Sequence, residues 1–214
     1  YYQDILKLKK SLAPKRGVVV EINILSEYLK YLLSFCNLSK IKSQKVVVDA
    51  SNGMAGKIMS KLTEYLPVEI VPLNFKLDGN FPSHPPNPLM PESQIQIRQA
   101  VIKNQANFGV IFDGDADRIL FIDEKGDFVR ADYILLILAR EFLEREPHSS
   151  VVYNTMCSKI VPEKIIEWGG EPLRSKVGYV NVGSMMRQHN CIVGGEFSAH
   201  YFFRDNNYTD SGFI

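Results

Sequence analysis

Leu25, Leu29, Leu32 and Leu33 recur at helical spacing and predict an amphipathic helix over residues 24–36. Beyond it the apolar pattern changes period. Short β-rich runs, Val46 to Val48, Val68 to Val71 and Phe108 to Phe112, alternate with segments of helical spacing, Met54, Ile58, Leu62 and Tyr65, then Ile95, Val101 and Ile102. Ile119 to Ile122 follows so closely on the run before it that the two are expected as a hairpin. Glu124 to Asp127 reads as a turn, and an apolar-periodic helix over residues 131–146 opens a second α/β unit. Val151 to Tyr153, a helix around 159–168 and Cys191 to Val193 continue it. Such alternation predicts largely parallel sheets covered by helices. A domain boundary is expected near residue 127, and no internal repeat is visible in the sequence.

Composition narrows the class. With 214 residues, 45% hydrophobic and 23% charged, the chain is long enough for one large or two ordinary domains. No run approaches the roughly 20 apolar residues of a membrane span. A net charge of +1 provides no global field for nucleic acid or anionic lipid. Residues 1–45 carry nine basic and three acidic groups, and with no aromatic-rich groove pattern beside them this stretch reads as a solvated helix face or linker. Cys36, Cys157 and Cys191 form no CxxC pair and read as reduced thiols of a cytoplasmic protein. The start lacks Met and the end lacks a capping signal, so a fragment of a longer chain is expected.

The most informative stretch is Asp113-Gly114-Asp115-Ala116-Asp117-Arg118. Three carboxylates at i, i+2 and i+4, separated by small residues, can converge in a tight turn, and a hard divalent cation makes that charge density tolerable. Mg²⁺ suits the donor set. Asp113, Asp115, Asp117 and Glu124 also match positions 1, 3, 5 and 12 of an EF-hand loop, but Arg118 stands where that loop needs glycine and the flanks are strand-like. A solvated acidic turn is the third reading, and hairpin turns seldom concentrate three aspartates.

The hexapeptide resembles the DGDxDR metal loop of the α-D-phosphohexomutases, the phosphomannomutases and phosphoglucomutases. Four more segments occur in that family's order. Residues 46–56, VVVDASNGMAG, resemble the opening of its second domain; 79–88, GNFPSHPPNP, its GxFPxHxPNP segment; 174–179, RSKVGY, its RxKxGH loop; and 194–200, GGEFSAH, its GGExSGH sugar-recognition loop. The resemblance implies two mixed, mainly parallel three-layer α/β domains, the second incomplete: residues 1–40 hold the end of a preceding domain and a connecting helix, 41–127 form the second domain and 128–214 part of the third. The family's phosphoserine loop and phosphate-gripping loop have no counterpart here. Ser83-His84, with Asn87-Pro88 nearby, superficially matches the nucleophile motif, but Pro85 and Pro86 intervene and Ser83 is not assigned as the nucleophile.

The same resemblance implies roles for single residues. Mg²⁺ would sit on Asp113, Asp115 and Asp117, with Arg118 beside it as a further cation. Lys176 would transfer the proton; spacing alone leaves it an exposed loop lysine. Tyr179 stands at the usual histidine position, where a phenol still donates a hydrogen bond. Glu196 and Ser198 match residues that hold sugar hydroxyls, and on an extended loop they would point to one side. His200 has a matching position and ranks below them. Ala199 replaces a glycine, which leaves the backbone less free to adopt positive φ. Phe197 stands where glucosamine mutases carry Gln, which favours hexose phosphates. The implied activity moves a phosphoryl group between the 1- and 6-positions of a hexose phosphate through a bisphosphate. The alternative is a non-catalytic metal- or sugar-phosphate-binding module. Neither reading calls for nucleic acid or membrane.

Overall fold

The computed structural model describes residues 17–214. The first third of the basic stretch therefore lies outside the described residues. Two five-stranded sheets dominate, and they repeat one plan. In the first, β1 (Lys45–Asp49) lies between parallel neighbours β2 (Glu69–Leu73) and β3 (Phe108–Phe112). The antiparallel β4 (Ile119–Asp123) and β5 (Phe128–Val129) follow, so the order is β2-β1-β3-β4-β5. In the second, β6 (Ser150–Asn154) takes the place of β1 between parallel β7 (Glu171–Ser175) and β8 (Val193–Gly195). Antiparallel β9 (Tyr201–Phe203) and β10 (Thr209–Asp210) complete it. The internal repeat missed in the sequence is thus present in the topology. Parallel and antiparallel pairings divide evenly in each sheet.

Helices cover both faces of each sheet because strand residues alternate. Val46, Val48, Val110 and Phe112 face α1 (Leu25–Leu33) and α2 (Ala55–Leu62), through Leu29, Leu32, Met59 and Leu62. Val47 and Ile111 face the other way, onto Ile97 and Val101 of α3 (Pro91–Lys103). That core is continuous with one face of the second sheet, where α4 (Ala131–Arg145) and α5 (Ile160–Glu167) pack. Val152 and Phe202 point to the opposite face, covered by Val182 and Met186 of α6 (Tyr179–His189).

The expected hairpin is present, with Phe112 opposite Ile119. Other strands differ in instructive ways. β2 runs through Pro72, which is tolerated because β2 is an edge strand. β8 starts at Val193 and continues through Gly194 and Gly195, past the apolar run that suggested it. A Cβ on Gly194 would lie 2.7 Å from Met186 Sδ and one on Gly195 2.8 Å from Leu135 Cδ1, so helices on both faces press onto this strand. β7, β9, β10 and α6 were not anticipated: β7 and β10 are edge strands, and α6 buries only Val182, Gly183 and Met186.

Candidate active site

The β3–β4 connection, residues 113–118, and the β8–β9 connection, residues 196–200, occupy equivalent places in the two sheets. They meet through an antiparallel bridge between Arg118 and His200. Each contains an alanine at positive φ, Ala116 at 66° and Ala199 at 70°. Ala199 therefore adopts the conformation it was expected to resist, and its N–H donates to Glu196 O (3.0 Å).

In the first loop, Asp113, Asp115 and Asp117 offer oxygens that all lie within 4.8 Å of one another. Asp113 is buried, and Arg118 grips both of its oxygens: Nε donates to Oδ2 (2.7 Å) and the backbone N–H to Oδ1 (3.2 Å). Arg118 Nη1 also donates to Asn87 Oδ1 (3.3 Å). Burial pushes the Asp113 carboxyl up, against the pull of Arg118 and with help from neighbouring Asp117. Asp117 Oδ1 is buried with no hydrogen-bond partner among the described residues, Arg118 Nε lying 3.7 Å away. An all-oxygen donor set with one orphaned carboxylate oxygen fits a hard cation such as Mg²⁺. The loop opens on a cleft of about 420 Å³ lined by Phe81, Pro86, Asn87, Asp113, Gly114, Asp115 and Arg118. The EF-hand reading fails here: strands flank the loop, and Glu124 lies beyond β4, the length of a five-residue strand away, about 17 Å.

The second loop is a turn and not the extended segment that was expected. Glu196, 2% exposed, points inward. Its Oε1 accepts from Gly178 N–H (2.8 Å) and Asn154 Nδ2 (3.1 Å), tying the turn to the start of α6 and the end of β6. Its Oε2 lies 3.4 Å from His200 Nδ1, which also contacts Ser198 Oγ (2.9 Å). His200 Nε2 lies 3.6 Å from Asp117 Oδ1. His200, ranked below Glu196 and Ser198 from sequence, thus joins the two loops. Lys176 and Tyr179 stand exposed on either side of Gly178, and among the described residues no hydrogen bond or ion pair joins them to the acidic loop.

Models of phosphoglucomutase/phosphomannomutase α/β/α domain II and domain III match residues 26–126 and 130–214. The chain belongs to the phosphoglucomutase/phosphomannomutase family. It is 38% identical over 205 residues to a phosphomannomutase of Escherichia coli K12, covering 94% of this chain and 45% of that protein. A family protein from Burkholderia thailandensis superposes with TM-score 0.83 at 32% identity, over 89% of this chain and 42% of that one. An N-acetylphosphoglucosamine mutase from Aspergillus fumigatus, solved in complex with GlcNAc-6P and magnesium, shares the fold at TM-score 0.61 and 19% identity, over 86% and 40%. The chain spans less than half the length of these relatives.

Several residues of this phosphohexomutase chain that shape the site escaped the sequence reading. Asn87 steadies Arg118, and Asn154 steadies Glu196. Asp210 joins Asp117 and His200 in a second group of oxygen and nitrogen donors. His84 is buried against Asp49, Nε2 to Oδ2 at 3.1 Å, with Nδ1 near Pro85 O at 2.9 Å. That places the histidine of the misleading Ser83-His84 pair in a structural role under the first loop. The available signal was polar residues at the C-terminal ends of strands, Asp49 and Asn154, where α/β sheets bind ligands.

Proposed function

We propose that this chain forms the metal-binding and sugar-recognising part of a phosphomannomutase or phosphoglucomutase. The observation that carries this reading is the convergence of the aspartate loop and the Glu196–His200 turn at the Arg118–His200 bridge. Asp113, Asp115 and Asp117 would hold Mg²⁺, which when bound neutralises charge on a transferring phosphoryl group. Arg118, fixed by Asp113 and Asn87, supplies a second cation beside it. Ser198 and His200 face the sugar, Glu196 holds the imidazole and the turn, and Tyr179 donates from the first residue of α6. Lys176, on the neighbouring loop, transfers the proton. The serine nucleophile and the grip on the distal phosphate are expected from parts of a mutase that this chain does not span. Hexose phosphates and their bisphosphates are the ligands, with mannose and glucose phosphates favoured over glucosamine phosphates. The free thiols support a cytoplasmic setting, and no described helix is long and apolar enough to cross a membrane.

A coupled mutase assay on the protein that carries this chain tests the reading. Asp113→Ala, Asp115→Ala and Asp117→Ala should each lower turnover by about 10²-fold or more, and chelation should do the same to the wild type. Lys176→Ala should lose turnover while keeping hexose-phosphate binding. Full turnover in all three aspartate variants would overturn the metal role, and a wild type that binds hexose phosphate without turnover would leave the non-catalytic module as the better description.

A further inference from the structure

Phe197 occupies the tip of the 196–199 turn, between Glu196 and Ser198, and among the described residues its N–H finds only Asn154 Oδ1, at 3.5 Å. Two residues on, Ala199 sits at φ 70°, a conformation that alanine adopts only under constraint. On this side of the turn the Phe197 ring meets Arg130. Its guanidinium carbon lies 5.4 Å from the Phe197 ring centroid and 5.8 Å from that of Tyr133, both within cation–π range. Arg130 is itself fixed by a two-point grip, with Nε donating to Asp132 Oδ1 (3.1 Å) and Nη2 to Oδ2 (2.8 Å). Asp132 is wholly buried and accepts a further bond from Ser158 N–H (3.0 Å). Arg130 also directly precedes α4, where the chain passes from the first sheet to the second. The tip of the turn is thus anchored to the junction between the two sheets.

We propose that Arg130 is a positioning residue for the 196–200 turn, acting through the Phe197 ring to hold Ser198 and His200 where a hexose phosphate is received. This rests on the sugar-recognition reading above. The anchor needs a planar cation held at two points and a ring on the turn; a lysine would keep the charge and lose the two-point grip. Tyr133, on α4, meets the same guanidinium without belonging to the turn, which makes it a control.

Binding of glucose 1-phosphate to the Mg²⁺-loaded protein, measured by calorimetry and as KM against kcat, tests the proposal. Phe197→Leu leaves the Arg130–Asp132 pair intact, so it separates positioning from folding; it should weaken binding about fivefold with little change in Tm. Arg130→Met should weaken binding to a similar extent, and the double variant should be no weaker than either single one, because both remove one interaction. Tyr133→Leu should bind as the wild type does. Unchanged affinity in Phe197→Leu, additive losses in the double variant, or an equal loss in Tyr133→Leu would each overturn the proposal. A wild-type protein that binds no hexose phosphate would instead defeat the sugar-recognition reading, and the proposal with it.

Discussion

The β3–β4 and β8–β9 connections sit at the same place in two sheets of the same strand order, each with an alanine in the left-handed region, yet they handle negative charge in opposite ways. The first gathers three carboxylates against one another and leaves Asp117 Oδ1 without a hydrogen bond among the described residues, with Arg118 Nε 3.7 Å and His200 Nε2 3.6 Å away. The second turns its single carboxylate into the fold, where Gly178 and Asn154 satisfy it. An unpaired buried oxygen costs free energy that a cation can return, whereas a satisfied one contributes to the fold directly. On the proposed reading the first loop would serve as an ion site and the second as a scaffold for Ser198 and His200.

This contrast can be broken at either loop. The largest effect on folding is expected from Glu196→Ala, which strands the Gly178 N–H and the Asn154 amide inside the protein. Urea denaturation should show a loss of about 2–4 kcal/mol, and an unchanged midpoint would mean that the turn holds itself. At the other loop, Asp117→Asn should raise the stability of the metal-free protein by about 0.5–1 kcal/mol, while abolishing stabilisation by Mg²⁺. A thermal melt with and without the ion reads both effects, and a destabilised Asn variant would contradict the ion-site description.

Beneath the first loop, the Asp49 hydrogen bond holds the His84 pKa above its ordinary 6.5, against the opposing effect of burial. A raised histidine pKa stabilises the fold fully below the unfolded value and loses that contribution as pH rises through the folded one. Stability should therefore decline as pH increases above about 6.5, and His84→Gln should flatten the decline in a series of melts. The smallest changes are expected at Ala116→Gly and Ala199→Gly. Relief of left-handed strain there roughly offsets the lost methyl and the added chain entropy, so each should stay within about 1 kcal/mol. Effects of opposite sign at the two sites would show that their shared geometry arises from different constraints.

The sequence by itself determined the α/β class, the order of most elements and the identity of the acidic loop. Those depend on local pattern: apolar runs in β1, β3 and β6, helical spacing in α1, α4 and α5, and three aspartates in six residues. The family resemblance marked the residues of the second loop without its geometry. Tertiary structure alone decided that Glu196 points inward, that His200 joins the two loops, that Ala199 takes positive φ and that Arg130 reaches Phe197. Each depends on partners far away in the chain, such as Asn154 for Glu196 and Asp117 for His200. The repeat of the two sheets was hidden for the same reason. Strand order is set by which edges meet in space, and two unrelated sets of side chains can satisfy one order.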